Sequence, residues 1–598
     1  MINISEAVEL AFAAHSRGDL RAAEIASRQI LQVEPRQADA LYLLGLIAYQ
    51  TGHPSNAEKL IGEAVSHPPF DAHRLNTLGV VQMALGEIEE AVSTFRRCVE
   101  ANEYVPAFFN NLARALDLAG DISSAESCLR RALALQPDYP EACLNLANIH
   151  RCKGEYKKAE ALYRKALSAK QDYANAAYNL GILLKDQGRL MEAHDSLRMA
   201  VQLSPDSAMA YNNLGIVLKA MNRAVEAEQC FMHALGLNPG YMEAIANLGN
   251  IQDTLGRTGE ALGNYKKALF LAPELAELRL NYAYALLKTG NFIDGWREHE
   301  WRWKTGIFHG VWPAYRQPLW DGANLDGRRI LLWYEQGLGD TLQFIRYAPL
   351  VAEKGGKIIV LCQSSLKRLI RTVRGVERVV TEDDPLPDFD VHCPLMSLPL
   401  MFQTGLADVP AGIPYLFPRP SQVAAWKGRL DACASGALKI GMVWAGNPRK
   451  ELPEASLVDA RRSVSLDVFL PLLKVSKAKF FSLQKGDASS QLGAIPKPIR
   501  PIDFSGEWSD FSDTAAFVAN LDLVIAVDTS VAHLAGALGR ETWLLSRSDG
   551  CWRWLTERSD SPWYPTLRIF RQTMPGNWTP VIADIESCLQ KKLLNAAC

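Results

Sequence analysis

The stretch Ala174–Ser207, ANAAYNLGILLKDQGRLMEAHDSLRMAVQLSPDS, decides the fold of half the chain. Its small residue Gly181 belongs to a row at Ala11, Gly45, Gly79, Ala113, Ala147, Gly215, Gly249 and Ala283, with 34 residues between successive members. Its Gly188 belongs to a second row, Gly18, Gly52, Gly86, Gly120, Gly154, Asn222, Gly256 and Gly290. Its Ala193 belongs to a third, Ala23, Ala57, Ala91, Ala125, Ala159, Ala227, Ala261 and Gly295. Prolines keep the same phase at Pro35, Pro69, Pro137, Pro205, Pro239 and Pro273. A fixed period of this length marks a stacked array, here of nine units. The first and third rows put a small side chain where the two helices of a unit cross. The glycine row closes the first helix, where a left-handed residue costs least. The proline row ends the second helix and opens the next unit. Between these marks apolar residues follow helical spacing, as at Leu41, Leu44, Ile47 and Ala48.

Over about residues 4 to 300 the pattern resembles the tetratricopeptide repeat. Such units bury their faces only against neighbours, so an all-α superhelical solenoid with a concave groove is expected. A further row, Asn111, Asn145, Asn179, Asn213, Asn247 and Asn281, stands two residues before the small residue. Amides both donate and accept, so a ladder of them can hold a peptide backbone without reading its sequence. The row is similar to the asparagine ladder of eukaryotic O-GlcNAc transferase. That resemblance implies a polypeptide acceptor bound along it. The plainer reading is that asparagine, common at this place in such repeats, satisfies the neighbouring backbone.

At the junction Trp296, Trp301, Trp303, Trp312, Trp320 and Trp333 crowd together, and WREHEWRW at 296–303 continues a helical pattern that breaks at Pro313 and Pro318. An aromatic stripe can stack on sugar rings, but such residues are more often core, and a packed junction is expected. From Arg329 the period changes. Short β-rich runs at Ile330–Tyr334, Lys357–Cys362, Glu377–Thr381 and Phe389–Cys393 alternate with helical patterns. A second set follows at Lys439–Trp444, Lys479–Leu483, Leu521–Val527 and Thr542–Leu545, after the proline-rich stretch Pro410 to Pro420 and a linker helix. Alternation of this kind predicts parallel sheets in two α/β lobes. Ligands of such sheets bind beyond the carboxyl ends of the strands.

Three segments in this half are singled out: EQGLGDTLQ at 335–343, MVWAGNP at 442–448 and VDTSVAHLAG at 527–536. The first looks like the Gly-Asp loop of bacterial heptosyltransferases, whose Asp faces the acceptor. The third is similar to the Asp-Thr-Gly-x-x-His-x-Ala run that binds the donor diphosphate in the same family, with Ser530 in place of the glycine. The resemblance implies a GT-B fold of two Rossmann-like lobes, metal-independent transfer and inversion at the sugar carbon. Asp340, on the turn of Gly337 and Gly339, is the expected general base, since a hydroxyl acceptor needs a carboxylate beside the attacking oxygen. Its alternative is to cap the helix at Thr341. Asn447, Arg462, Lys485, Asp528, Thr529, Ser530 and His533 are the expected donor-binding residues. The helix opening at Asp528-Thr529-Ser530 offers free N–H groups and a favourable dipole. His533 lies on the same helical face as Thr529, and Lys485 and Arg462 supply charge against a diphosphate. The plain alternatives are an N-cap for Asp528 and a packed core histidine for His533. The triplet Asp388-Phe389-Asp390 has the form of a metal-binding Asp-x-Asp but is read as a strand start, and no Cys/His cluster has zinc spacing. The loop Arg449 to Arg461, with Glu451, Glu454 and Asp459, is acidic beside the expected diphosphate site, which argues against a direct donor role for it.

Composition sets the outer limits. In 598 residues, Lys+Arg of 64 against Asp+Glu of 66 leaves a net charge of −2, without the basic excess of a general nucleic-acid binder. The polar residues Glu6, Glu9, Arg17 and Asp19 exclude a signal peptide in the first twenty residues, and no long apolar run predicts a membrane span. An odd count of 11 scattered cysteines points to free thiols in a reducing, cytoplasmic compartment. The sequence therefore divides into a solenoid over 1–295, a Trp-rich junction over 296–325, an acceptor lobe over 326–420 and a donor lobe over 421–598. The whole resembles bacterial tetratricopeptide-fused GT-B enzymes, flagellin glycosyltransferases among them. The expected activity is transfer of a sugar from a nucleotide-sugar donor to Ser or Thr hydroxyls of a polypeptide such as flagellin, with no cofactor. A homo-oligomer is compatible with this reading. A transferase acting on lipopolysaccharide or another glycan, and a non-catalytic scaffold, stay open as alternatives.

Overall fold

A computed structural model describes residues 4–68, 70–306, 315–448 and 453–595. Pro69, Trp312, Pro313 and the loop residues Arg449 and Glu451 lie outside the described residues, as does the side chain of Glu454. The chain divides into two compact units, Met1–Pro239 and Gly240–Cys598.

The first unit is built of seven helix pairs, from Ile4–Ser16 with Leu20–Val33 to Ala208–Ala220 with Ala224–Leu237. The rows read from the sequence do the work expected of them. A side-chain carbon on Gly181 would stand 2.6 Å from Leu197 Cγ, and one on Gly215 2.6 Å from Phe231 Cε1. Only a hydrogen fits where those helices cross. Ala23, Ala57, Ala91, Ala125, Ala159, Ala193 and Ala227 on the facing helices are all fully buried. Gly188 ends its helix at φ 73°, and Asn222 takes the same left-handed conformation at φ 62°; asparagine is the non-glycine residue that tolerates it best. The apolar faces merge into a core that runs from Ala57 to Ile149 through successive pairs.

The second unit opens with two more pairs, Met242–Thr254 with Thr258–Leu271 and Ala276–Lys288 with Phe292–His299. The sequence boundary at 295 follows the pattern; the packing follows the core. Leu287, Phe292 and Trp296 are buried in one cluster with residues of both sheets. The first sheet contains β1 (Arg329–Trp333), β2 (Lys357–Leu361), β3 (Val376–Val380) and β4 (Val391–Pro394), in the order β3-β2-β1-β4. The second contains β5 (Leu438–Val443), β6 (Ala478–Ser482), β7 (Ile502–Asp503), β8 (Leu523–Val527), β9 (Thr542–Ser546) and β10 (Leu567–Arg571), in the order β10-β9-β8-β5-β6-β7. All their pairings are parallel. The linker helix is Pro420–Ala434. The expected strands are present, and the edge strands β7 and β10 are additions. A second core, between the larger sheet and the helix Thr579–Asn595, holds Met442, Trp444, Ile525 and Ile585.

Candidate active site

Strand β1 ends at Trp333 and the chain turns through Glu335-Gln336-Gly337 into the helix Leu338–Phe344. Asp340 faces back from the third helical position. Its Oδ2 accepts the backbone N–H of Gly337 at 2.9 Å, so the helix opens at Leu338 with Gly337 as its N-cap, and Asp340 bonds back to that cap instead of capping a helix at Thr341. Its Oδ1 accepts from Arg553 Nη2, an ion pair in which the two side chains are 19% and 11% exposed. Arg553 also donates to Gln343 Oε1 at 2.8 Å and to Cys551 Sγ at 3.0 Å. Burial works against its charge, but Asp340, with Cys551 and Asp528, holds its pKa above the usual arginine value.

The second sheet presents Asp528-Thr529 at the carboxyl end of β8, ahead of the helix Ser530–Ala537. The two motifs meet. A side-chain carbon on Gly339 would stand 2.9 Å from His533 Cδ2, so the glycine lets the loop lie against the histidine. His533 is 4% exposed, shares a hydrogen bond between Nδ1 and Tyr564 Oη at 2.9 Å and stacks on Trp554 with centroids 5.2 Å apart. Burial, with Arg553, Arg346 and Arg462 nearby, drives its pKa down to about 3 against the opposing pull of Asp528. With no anion beside it, His533 is therefore held neutral and packed. Four buried polar atoms around this contact have no hydrogen-bond partner: Gln336 Nε2, Gln343 Nε2, Thr529 Oγ1 and Trp554 Nε1.

Arg462 is brought to the segment 528–533. Its Nη1 donates to the carbonyl of Asp528 at 3.0 Å and its Nε to Asp459 Oδ1 at 2.8 Å. Asp459 lies in the helix Pro453–Arg462, where a loop is expected from the sequence; it is buried, also accepts from Ser463 Oγ at 3.3 Å, and places the arginine. Asn447 is exposed on the loop after β5, where Gly446 N–H donates to Ser463 Oγ at 3.0 Å. Lys485 is not brought to the segment. It is exposed, its ammonium donates to the carbonyl of Trp508 at 2.7 Å, and among the described contacts none joins it to Arg462 or to 528–533.

Three of the described tryptophans of the junction are core and two, Trp301 and Trp303, are half-buried. Trp296, Trp320 and Trp333 are each 1% exposed, and Trp296 packs edge-on to Trp552 at 5.3 Å. Trp301 is half-buried under two cations, Arg279 at 4.3 Å and Lys304 at 3.8 Å. Arg302, fully buried, grips the glycine loop through Glu335, with bonds of 3.1 and 3.0 Å, and donates to Glu300 and Ser397 at 2.6 and 2.7 Å. Burial pushes the Glu335 carboxyl up to about 7, with Arg302 opposing. In the triplet 388–390, Phe389 is buried and Asp390 accepts the backbone N–H of Arg329 at 2.7 Å. No group of three His, Cys, Asp or Glu among the described residues is placed to hold a metal ion. Sequence reasoning missed Arg553, Gln343 and Tyr564. The aromatic density of Trp552-Arg553-Trp554 and Trp563-Tyr564 was the available signal.

The six ladder asparagines are all half-buried. Within the first unit, Asn111 Nδ2 donates to Asn76 Oδ1 and Asn145 Nδ2 to Asn110 Oδ1, both at 2.9 Å. Asn213 Nδ2 donates to Tyr178 Oη and to the Met209 carbonyl, both at 3.0 Å. Each of these amides bridges to the residue 35 positions earlier, on the first helix of the preceding unit.

Tetratricopeptide-repeat family models match residues 9–72 and 110–174, 162–195, and 72–104 and 208–241, so the helix pairs are tetratricopeptide repeats. Protein FlbA of Caulobacter vibrioides is 28% identical over 342 residues, 53% of this chain and 55% of that protein. The chain thus spans about half the length of the curated relative it matches. Among solved structures, YrrB, described as a tetratricopeptide-repeat protein with an unusual peptide-binding site, is 25% identical with a TM-score of 0.28, over 30% of this chain and 92% of that one. MamA is 25% identical with a TM-score of 0.26, over 28% of this chain and 97% of that one. The Cut9-Hcn1 structure is 18% identical with a TM-score of 0.36, over 48% and 57%. No helix among the described residues is long and apolar enough to cross a membrane.

Proposed function

We propose that the chain is a GT-B protein glycosyltransferase that moves a sugar from a nucleotide-sugar donor to a Ser or Thr hydroxyl. The observation that supports it best is the meeting of the glycine loop of one sheet with the Asp528–His533 segment of the other, through Gly339 against His533 and Asp340 bonded to Arg553. Facing carboxyl ends of parallel sheets are where such folds bind ligands. In this reading the acceptor oxygen attacks the anomeric carbon, its proton passes to Asp340, and the nucleoside diphosphate leaves with the bonding electrons. The attack inverts that carbon. The N–H groups opening the helix Ser530–Ala537, the hydroxyls of Thr529 and Ser530, and Arg462 held at the Asp528 carbonyl would receive the phosphates. Asn447, at the rim of the same end of the sheet, is kept as a donor contact. His533 orders the segment as a neutral packed residue, and Lys485 is given no part.

The acceptor is proposed to be a polypeptide, flagellin being the first candidate, docked on the repeats of a cytoplasmic enzyme. Incubation of the full chain with UDP-, GDP-, ADP- and dTDP-sugars and with flagellin, followed by intact-mass analysis, tests this. A hexose-sized or larger increment that disappears with Asp340→Asn is expected; no increment with any donor removes the reading. The amides of Asn111, Asn145 and Asn213 each commit an N–H between units, which favours a second reading in which the repeats dock a partner and a glycan is the acceptor. Replacing Asn111, Asn145 and Asn213 with Ala separates the two. Protein modification lost while donor hydrolysis is kept supports the ladder as acceptor site; unchanged modification supports docking elsewhere.

A further inference from the structure

Arg553 holds a position that the transfer reaction as written leaves without a task. It arises from the second lobe and reaches the first, where Asp340 and Gln343 receive two of its N–H groups. Its third contact is to a thiol sulfur, Cys551 Sγ, which is a weak acceptor. A guanidinium carries five N–H donors, so the fork is under-supplied with acceptors. Its Cζ lies 4.2 Å from the centroid of the Trp552 ring.

The surrounding polar atoms are short of the same thing. Gln343 Nε2, Gln336 Nε2 and Trp554 Nε1 are buried, have no partner and can only donate, and Thr529 Oγ1 beside them can donate as well. Buried donors without acceptors are uncommon in folded proteins, and each one asks for an explanation. Gln343 bonds Arg553, Trp554 stacks on His533, and Gln336 and Thr529 belong to the two motifs that meet at Gly339 and His533. A cation, several unpaired donors and a helix N-terminus together suit an acceptor-rich anion.

We propose that Arg553 binds the diphosphate of the donor, and that the diphosphate displaces Asp340 from it. Asp340 and the diphosphate are like charges competing for one guanidinium fork. Before the donor arrives, the fork neutralises the carboxylate that would serve as base. Once the diphosphate takes the fork, the carboxylate is released to the acceptor hydroxyl. Donor binding then precedes activation of the base, and the order of binding is built into one ion pair between the lobes. The role given to Asp340 rests on the sugar-transfer reading; the anion site rests on the geometry alone.

Calorimetric titration of the full-length protein with inorganic pyrophosphate, and then with ADP, UDP and GDP, tests the competition without any turnover. Arg553→Met should weaken pyrophosphate binding roughly tenfold or more, the factor that loss of one charge-assisted contact brings. Arg553→Lys should restore part of it. Asp340→Asn should tighten binding several-fold, because the competitor is gone, whereas a merely structural ion pair would make the same change neutral or harmful. The double variant should bind as weakly as Arg553→Met alone. Thermal melts of each variant accompany the titrations, and if Arg553→Met does not fold, Arg553→Lys and Asp340→Asn carry the test. Unchanged or weaker pyrophosphate binding by folded Asp340→Asn, or wild-type binding by folded Arg553→Met, overturns the proposal. Competition as described with no sugar transferred keeps the site and removes the glycosyltransferase reading. Transfer without competition does the reverse.

Discussion

His533 shows how a residue chosen for one chemistry can be held for another. Its spacing from Thr529 puts it on one helical face with that residue, at the opening of the helix Ser530–Ala537. But its ring lies between Trp554 and Tyr564, and burial lowers its pKa from 6.5 to about 3. The unfolded chain takes up a proton near pH 6.5 that the folded chain refuses until about pH 3. A depressed folded pKa on a base gives stability that is complete above pH 6.5 and declines as the pH falls towards 3. His533→Gln, which carries no titrating ring, should flatten the fall in urea midpoint between pH 6.5 and 5.5 relative to wild type. An identical pH slope in both proteins would show that His533 is charged in the fold. Glu335 has the opposite sign. Its carboxyl is raised from 4.5 to about 7, so its contribution is complete below pH 4.5 and is lost as the pH rises through 7. Arg302 carries that group, and Arg302→Met leaves a buried carboxyl without its partner. A loss of about 3 kcal/mol, the scale for breaking one side of a buried ion pair, is expected at pH 8 from denaturant unfolding, with a smaller loss at pH 5 where Glu335 is protonated.

Two glycines in helices make the case at the level of the element. Gly263 sits in the helix Thr258–Leu271 with nothing within 4 Å of the space a side chain would take. Gly263→Ala should therefore stabilise by up to about 1 kcal/mol through helix propensity alone. Gly339 sits in the helix Leu338–Phe344, where the same methyl would press on His533. Gly339→Ala should lower the urea midpoint despite the better propensity, and should cut sugar transfer more steeply than stability, because it pries apart the two motifs. Equal stabilisation by both would mean that the loop does not rely on the close approach. The same scale marks what was legible in the sequence. The helix pairs were, since each row of small residues has a steric cause that repeats every 34 residues. The central strands were, since strands covered on both faces read as unbroken apolar runs like Leu523–Val527. The edge strand β10 was not, because in Leu567-Arg-Ile-Phe-Arg571 the arginines at 568 and 571 break up the apolar run. Asp340 and Arg553 are 213 residues apart in the chain, and no local pattern announces a pair that only the facing of two sheets creates.

Across the whole second unit, the repeats are part of the core that holds the cleft. Phe292 and Leu287 of the last pair are buried with residues of both sheets. Trp296 packs edge-on to Phe344 at 6.1 Å and to Trp552 at 5.3 Å, the end of the Asp340 helix and the neighbour of Arg553. Lys288, 3% exposed in its side chain, bonds to Asp253 at 3.0 Å and reaches the carbonyl of Asp549 at 3.5 Å, while the Asp549 carboxylate takes Arg461 at 2.9 Å. The place where the sequence pattern changes is therefore not the place where the molecule can be cut. A fragment of residues 240–598 retains Phe292 and Leu287 on the tryptophan cluster; one of residues 296–598 bares that face and loses two large core side chains. Truncating a single such side chain costs about 2 to 5 kcal/mol, a large share of a domain's stability. The longer fragment should unfold in one cooperative transition and bind pyrophosphate as the full chain does. The shorter one should bind a hydrophobic dye, aggregate on mild heating and bind pyrophosphate weakly or not at all. Equal behaviour of the two fragments in calorimetry and dye binding would mean that the last repeat pair only rests against the cleft and does not shape it.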